Sequence, residues 1–480
     1  FLMNDPLASF PTFLEVAQKA KKAGLMVGCS SNTYFTETSL QKIIPYLDFI
    51  NIGIKGLEDE PYRKCGGSTV KPVLRNLEML YQHGVHVEVS CIAEGDKRGE
   101  IEALADTIAD ISPDIPLQVM RFLPMEDTPP EKEISIREAE ELVEKLKETL
   151  NYVYLFNSPG TKYLNTFCPK CGQLIYSRDF YGPMGSKIKA GFIEGQEGKC
   201  PQCGHEIAVK GQGAVDLYQE GNFQGGYPFT RAMEMMEAIL IAVGVRDKKT
   251  VVKLWEDVLG NGKLDQLHHD LQQPDKYLDM IRNYGIKAGR KQSAEALATY
   301  IEGKIKTIQN GYSRIKERPR VYYNMGKPLF AIKGERLENQ MIELAGGISV
   351  NKELTLTGRP GMSITPAVLE KLNPDVIFIS AFLSVSKEDF LSECQRQNLS
   401  IKAIQEGRVY TYPSPGWDFG SPRWVLGLMY MANMLHPEVY HFDLRAESLL
   451  FYRRFYNLEF DISQVNRSFS KPSNSWQWEA

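Results

Sequence analysis

Over residues 1–156, short apolar runs alternate with stretches whose apolar residues recur every three or four positions. The runs Leu25–Ser30, Phe49–Ile54, Val85–Ile92, Leu117–Leu123 and Tyr152–Phe156 are too short for buried helices and predict strands. Between them, Phe13, Val16, Ala17 and Ala20 make one helical stripe, stopped by Gly24. Val73, Leu77, Leu80 and Tyr81 make a second, stopped by Gly84, and Ile101, Leu104, Ala105 and Ile108 a third. Ser135 followed by Glu138 reads as a capping box opening a helix to about Leu150. Strands alternating with helices predict a parallel sheet or barrel whose ligands sit at the strands' C-terminal ends.

The rhythm stops near residue 157. Residues 157–210 are rich in Gly, Cys and Lys, with Ile175–Tyr181 and Ile188–Ile193 predicting a short hairpin. Residues 228–317 carry helical patterns, among them Thr230–Val243, Lys248–Val258 and Ser293–Lys316. Strands return at Val321–Tyr323, Val376–Ser380 and Val409–Tyr412, and the tail after Val465 is Ser/Asn-rich and reads as loose. The expected division is a barrel over 1–157, a ribbon over 158–212, a helical region with a linker helix over 213–317, an α/β lobe over 318–465 and a tail over 466–480.

Composition narrows the function classes. With 480 residues, 43% hydrophobic and 24% charged, the chain suits several ordinary globular cores. A net charge of −4 gives no reason to expect nucleic acid or an anionic membrane surface. The longest apolar patch, Met235–Val245, is broken by Glu237 and Gly244 and is too short to cross a bilayer. The chain begins at Phe1 with no leader ahead of the fold, so a longer parent or processing is expected.

Four of the eight cysteines form two near-identical knuckles, Cys168-Pro-Lys-Cys171-Gly and Cys200-Pro-Gln-Cys203-Gly. Each turn aims two thiolates at one point, and two such turns close a tetrahedral four-cysteine site suited to zinc, with a rubredoxin-like iron site as the alternative. Four protein ligands leave no open position, which makes the site structural. Paired short spacings in a large protein favour metal over disulfides and a reducing compartment. His205 is read as a neighbour rather than a ligand, and His268-His269 point to different helix faces and share no metal.

Asn4-Asp5-Pro6, Ser31-Asn32, Tyr46-Leu47-Asp48 through Lys55, Tyr62-Arg63-Lys64-Cys65-Gly66-Gly67, Gly84 to Val89, and Pro113-Asp114-Ile115-Pro116 through Arg121-Phe122 follow one another in a telling order. As a set, Phe1–Gly182 resembles the activating-enzyme branch of the radical S-adenosylmethionine (SAM) enzymes, of the AmmeMemoRadiSam type. The resemblance implies a partial (βα)6 barrel, a [4Fe-4S] cluster held by a Cys-x3-Cys-x2-Cys loop, and SAM gripped by an acidic motif. Phe1-Leu2-Met3 then ends the second strand, and Asp5, Asn32, Lys55 and Arg121 face the cofactor. Asp5 also reads as a carboxylate at a helix N-terminus, and Lys55 as a surface lysine. The cluster triad is absent from these residues and is expected upstream of Phe1. Gly53 stands where relatives carry Asp, and Asp5 replaces the commoner Glu. Cys29, Cys65 and Cys91 lack cluster spacing and read as buried or loop cysteines.

Arg318-Pro319-Arg320-Val321-Tyr322, Leu344-Ala345-Gly346-Gly347, Leu372 through Ile377, Gly407-Arg408-Val409-Tyr410 and Pro422-Arg423 through Glu438 carry a second resemblance. Residues 280–445 look like the linker helix and C-terminal lobe of the binding proteins for iron-siderophore, haem and cobalamin. That implies a helix-bridged metal-chelate binding fold with its ligand between two lobes. Residues 212–280 show helical patterns only, so the first lobe is reduced or the pocket is completed elsewhere. Tyr323, Asn324, Met325, Arg359, Met362, Trp417, Phe419 and Arg423 are the expected ligand residues, since aromatics stack on flat ligands and arginines pair with carboxylates. Trp417 and Phe419 read equally well as packing residues.

The fold class expected is therefore α/β: a partial barrel, a four-cysteine zinc ribbon and an α/β binding lobe. Two functions follow. One is a radical SAM enzyme coupled to a lobe presenting a metal chelate or tetrapyrrole, in the cytoplasm. The other is a non-catalytic binding protein for transport or sensing, exported or membrane-associated, with an ABC permease as partner.

Overall fold

The computed structural model describes residues 5–123, 132–180, 185–188, 198–208, 227–260, 264–356, 360–380, 383, 385–414 and 416–459. The expected strand end at Phe1–Met3, Arg359 and the tail over 466–480 lie outside them. The chain divides into two compact units, Phe1–Tyr218 and Gln219–Ala480.

In the first unit the chain runs α1 (Phe10–Lys22), β1 (Gly28–Ser31), α2 (Glu37–Ile43), β2 (Phe49–Gly53), α3 (Asp59–Lys64), α4 (Lys71–Gln82), β3 (His86–Ala93), α5 (Arg98–Ala109), β4 (Leu117–Arg121), α6 (Ile136–Leu146) and β5 (Val153–Phe156). Gly24 and Gly84 end their helices as expected. Leu25 N–H reaches back to the Ala20 carbonyl at 3.0 Å, and Val85 N–H to that of Leu80 at 3.1 Å. Ser135 and Glu138 form the capping box. Two stripe residues fall outside the core: Val16 is 47% exposed and Tyr81 38% exposed. Each flanks a stripe whose centre, Phe13 with Ala17 or Val73 with Leu77, is buried.

The five strands lie side by side in sequence order, every neighbouring pair parallel. This is what successive βα units give when each lays its strand against the last. Among the described residues the sheet has five strands, the five expected over residues 25–156. Ile50, Ile52, Val87, Val89, Leu117, Val119 and Leu155 bury one face in a core with Leu40, Val73, Leu77, Leu104 and Val143 from the helices. The alternate positions, Asn51, Glu88, Ser90 and Gln118, are only part-buried. They hydrogen-bond across three strands: Ser90 Oγ to Asn51 Oδ1 at 3.0 Å, Asn51 Nδ2 to Gln118 Oε1 at 3.1 Å, and Gln118 Nε2 to Glu88.

The ribbon belongs to this unit. β6 (Thr166–Phe167) pairs antiparallel with β7 (Leu174–Tyr176), and β8 (Arg178–Phe180) with β9 (Ser186–Ile188). Of the expected hairpin, Arg178–Phe180 pairs with Ser186–Ile188, whereas Leu174–Tyr176 pairs back with Thr166–Phe167; Tyr181 and residues 189–193 lie outside the described residues. A small core of Tyr152, Cys168, Ile175, Cys200 and Ile207 joins the ribbon to the start of β5.

The second unit opens with α7 (Tyr227–Ala242), α8 (Lys248–Gly260), α9 (Leu264–Asp270), α10 (Pro274–Lys287) and the long α11 (Lys291–Asn310). It continues through β10 (Arg320–Asn324), β11 (Phe330–Ile332), α12 (Leu337–Leu344), β12 (Ile348–Ser349), β13 (Gly361–Ser363), α13 (Pro366–Leu372), β14 (Val376–Ile379), α14 (Lys387–Arg396), α15 (Lys402–Gln405), β15 (Val409–Thr411), α16 (Trp424–Leu435) and α17 (Leu444–Phe451). A π-helical turn, Tyr452–Tyr456, follows α17. Asn373 closes α13 in the left-handed conformation, and Asp375 then accepts the Arg320 N–H at 2.8 Å, so the Asn-Pro-Asp turn launches β14 beside β10.

Val321 of β10 pairs in parallel with Ser349 of β12 and with Val376 of β14, which therefore lie on opposite sides of it. The chain leaves β10 towards β12 on one side, returns to β14 on the other and goes on to β15. The C-terminal ends of β10 and β14 thus flank a topological switch point, where connections diverge and an open α/β sheet forms its crevice.

Candidate metal centre and ligand site

Each cysteine knuckle is built by the same two backbone bonds. The Cys168 carbonyl accepts from Gly172 N–H at 2.9 Å, and Cys168 N–H donates to the Gln173 carbonyl at 2.8 Å. The Cys200 carbonyl accepts from Gly204 N–H, and Cys200 N–H donates to the His205 carbonyl, both at 2.8 Å. Gly172 and Gly204 stand at φ of 74° and 68°, a conformation that L side chains resist. His205 thus contributes its carbonyl to the turn, and its ring is not part of the sulfur set.

The four Sγ atoms of Cys168, Cys171, Cys200 and Cys203 lie within 4.8 Å of one another. The contacts Cys168–Cys203 and Cys171–Cys200 are 3.7 and 3.6 Å. A tetrahedral zinc site with Zn–S near 2.3 Å has S···S edges of about 3.8 Å, so the sulfurs are spaced to hold a metal ion such as zinc. The thiols do not act independently. At Cys200, burial opposes ionisation, but the N–H groups of Cys203 and Gln202 and the neighbouring thiols prevail and lower it to about 7. At Cys171, the Gln173 N–H favours the thiolate, yet burial and the three other thiols push it up to about 12. A divalent cation removes this conflict.

The other cysteines form no such group. Among the described residues, the cysteine quartet is the cluster of metal-ligating side chains. Burial pushes Cys29 and Cys91 up to about 12, which makes them inert thiols, and Cys65 is exposed. These three do not come together as a ligand group among the described residues.

The residues expected at SAM stand at the strand ends. Asp5 accepts the Asn32 N–H at 2.6 Å and the Ser31 hydroxyl at 3.1 Å, so it caps the end of β1. Lys55 follows β2 and is exposed. Arg121, at the end of β4, is 1% exposed; it pairs with Glu133 at 2.6 Å and donates to the Ile134 and Asn157 carbonyls at 3.0 Å. Burial lowers its pKa against the pull of Glu133.

In the second unit, Asn324 ends β10, Ser380 follows β14 and Tyr412 follows β15, at one edge of the sheet. The segment Gly416–Arg423, between β15 and α16, folds onto that edge. Asp418, 1% exposed, accepts the Tyr323 hydroxyl at 2.7 Å and the Ser380 hydroxyl at 2.8 Å. Burial, and then the Asp418 charge, hold the Tyr323 phenol fully protonated. Arg336 places its guanidinium 4.0 Å from the Phe419 ring centroid and pairs with Glu338 at 3.1 Å. Glu338 is buried, which raises its pKa, and its Oε2 has no hydrogen-bond partner among the described residues; neither has Oδ1 of Asn324. Asn351 completes the β10 edge, accepting the Tyr323 N–H at 2.8 Å and donating to its carbonyl at 2.7 Å. Gly427 lets the segment approach α16, since a Cβ there would stand 1.8 Å from the Trp417 carbonyl oxygen.

Tyr323, Asn324, Trp417 and Phe419 therefore come together, with Met325 also buried. They meet as core, at 5% exposure or less, while Met362 and Arg423 are partly exposed. Asp418, Ser380, Arg336 and Glu338 complete the cluster and escape a sequence reading. The available signal was a carboxylate between two aromatic residues, Trp417 and Phe419, in a Gly/Pro-rich segment.

No protein-family profile matches the chain. An uncharacterized protein of Methanocaldococcus jannaschii, MJ0808, is 27% identical over 216 residues, covering 44% of this chain and 62% of that protein. Solved structures similar to part of the chain are periplasmic solute-binding proteins. One from Veillonella parvula covers 40% of this chain and 60% of its own, at 24% identity and a TM-score of 0.36. Helicobacter pylori CeuE with Ni(II) bound covers 39% of this chain and 61% of its own, at 21% identity and a TM-score of 0.35. The chain spans about three fifths of the length of each of these proteins. No helix among the described residues is long and apolar enough to cross a membrane.

Proposed function

We propose that the Gln219–Ala480 unit binds a small-molecule metal chelate or tetrapyrrole, of the iron-siderophore, haem or cobalamin class, without turning it over. The single observation that supports this is the switch point between β10 and β14, floored by a buried polar cluster. There Asp418 locks Tyr323 and Ser380, and the buried oxygens of Asn324 and Glu338 lack partners among the described residues. A rigid, hydrogen-bonded floor at a diverging crevice is what an α/β ligand site needs. In this reading Asp418, Tyr323 and Ser380 are positioning residues, and Met362 and Arg423 approach the ligand.

The four-cysteine centre holds zinc and ties the ribbon to the parallel sheet. The ligand class and delivery to an ABC permease go together with an exported protein rather than the cytoplasmic one expected. Titration of the purified chain with haemin, cyanocobalamin and a ferric hydroxamate, followed by tryptophan quenching, tests the reading. Saturable one-to-one quenching by one of the three, with the chelate recovered unchanged, supports it; no quenching by any of them, or chemical conversion of the chelate, refutes it.

A further inference from the structure

The cysteine quartet has an asymmetry that metal binding does not use. The first cysteine of each knuckle is buried, Cys168 at 2% exposure and Cys200 at 0%, and packs in the small core with Tyr152, Ile175 and Ile207. The second, Cys171 or Cys203, is partly exposed. Both sulfur contacts cross between the knuckles and join unlike partners. Partly exposed Cys203 meets buried Cys168 at 3.7 Å, and partly exposed Cys171 meets buried Cys200 at 3.6 Å. Each pair therefore has one sulfur that an oxidant in solvent reaches and one that it does not.

This is the layout of an attacking thiol beside a resolving one. Accessible thiolates are oxidised first, and a neighbouring thiol turns the product into a disulfide. A disulfide holds its sulfurs at about 2.05 Å, so each pair has roughly 1.6 Å to close. The buried sulfur is fixed by its core, and its residue's N–H and carbonyl both hold the knuckle turn. The partly exposed sulfur is the one that moves.

We propose that the quartet is an oxidation site that exchanges its metal, under peroxide, for two disulfides running between the knuckles, Cys168–Cys203 and Cys171–Cys200. The Cys203 thiolate attacks a peroxide oxygen, the O–O bond breaks, hydroxide leaves, and Cys203 becomes a sulfenic acid. The Cys168 thiolate attacks that sulfur, the S–S bond forms, the S–O bond breaks, and a second hydroxide leaves. Each sulfur gives up one electron, the peroxide takes up two, and two solvent protons convert the hydroxides to water. Cys171 and Cys200 repeat the cycle with a second peroxide. The bridges span the gap that the metal spans, so the knuckles stay together and the Ala208 N–H stays on the Tyr152 hydroxyl. The ribbon is thus closed in a reducing compartment supplied with zinc and closed in an oxidising one; the reduced, metal-free chain is the open state. The inference rests on the four-cysteine centre and not on the chelate reading.

The test uses the full chain carrying Cys65→Ser, which removes the exposed thiol outside the quartet. The zinc-loaded protein is treated with hydrogen peroxide, blocked with N-ethylmaleimide and digested with trypsin without reduction. Trypsin cuts after Lys170 and so separates Cys168 from Cys171, while Cys200 and Cys203 remain together in residues 200–210. Zinc should leave as bridges form, and the Cys168 and Cys171 peptides should each be recovered joined to residues 200–210. Cys203→Ser should leave Cys168 carrying maleimide while Cys171 still bridges to Cys200. Amide exchange at Ala208 should be roughly tenfold slower in the oxidised chain than in the reduced, chelator-stripped one. The proposal is overturned by a bridge between the Cys168 and Cys171 peptides, by sulfinic acid without bridges, or by an oxidised ribbon that exchanges as fast as the stripped one. Mapping of the parent remains decisive should Cys203→Ser fail to fold. A chain that purifies without zinc and still forms both bridges would refute the zinc centre and uphold the oxidation site.

Discussion

Replacing Asp418 with Ala removes the acceptor on which two buried hydroxyls depend. Each hydrogen bond to a charged acceptor contributes about 1.5–3 kcal/mol, so losing the bonds from Tyr323 and Ser380 costs about 3–6 kcal/mol. Part of this returns, because the Asp418 charge works against the nearby Glu338 carboxylate. A net loss of about 3–4 kcal/mol remains, or about 10 °C in the melting transition of the second unit at roughly 3 °C per kcal/mol. Tyr323→Phe supplies the control: alone it should cost about 2 kcal/mol, but in the Asp418→Ala background it should cost nothing, since it deletes an already orphaned hydroxyl. Urea unfolding followed by tryptophan fluorescence gives the four free energies of the cycle. A loss below about 1 kcal/mol for Asp418→Ala, or strict additivity with Tyr323→Phe, would refute the view of this cluster as one locked unit.

Three more outcomes are expected. His436 is buried, which depresses its pKa below the ordinary 6.5, and its Nε2 lies 3.1 Å from the Gly346 carbonyl. The unfolded chain therefore binds a proton that the folded one refuses, so stability is full above pH 6.5 and falls as pH drops from there towards the lower folded value. Urea midpoints between pH 7.5 and 5 should fall more steeply for the parent than for His436→Asn; equal slopes would contradict the assignment. Elemental analysis should find one zinc per chain, lost on Cys200→Ser together with protection of the ribbon from protease; a variant that retains zinc would argue against the four-thiolate centre. Gly427→Ala forces a Cβ against the Trp417 carbonyl oxygen at 1.8 Å and should cost about 3 kcal/mol; a melting temperature within 2 °C of the parent (about 0.7 kcal/mol) would show that the segment moves freely.

Local features were legible in the sequence because short-range chemistry fixes them. The five strands of the first unit, the stops at Gly24 and Gly84, the Ser135–Glu138 cap and the twin knuckles all depend on residues a few positions apart. What was not legible depends on distant pairing. Tyr323 and Asp418 are 95 residues apart, and no periodicity announces that one will receive the other's proton donor. The switch point arises because β12 and β14 choose opposite sides of β10, a decision made by the whole sheet. Arg121 illustrates the converse. An arginine buried inside an apolar strand needs a partner, but only the fold names Glu133. Leu174–Tyr176, where the expected hairpin began, pairs with Thr166–Phe167 instead, as a strand with weak alternation can.

Tyr152 links the cysteine knuckles to the last strand of the parallel sheet. Its carbonyl accepts the Leu117 N–H at 2.9 Å at the head of β4, while its hydroxyl accepts the Ala208 N–H at 3.1 Å just beyond the second knuckle. Emptying the thiolate cage would free Ala208, leave the Tyr152 phenol stranded in a thinned core, and loosen the edge where β5 joins. Amide exchange along Val153–Phe156 should then track the supply of zinc, so the lifetime of the whole parallel-sheet unit in a cell would be set by metal availability rather than by its own large apolar core.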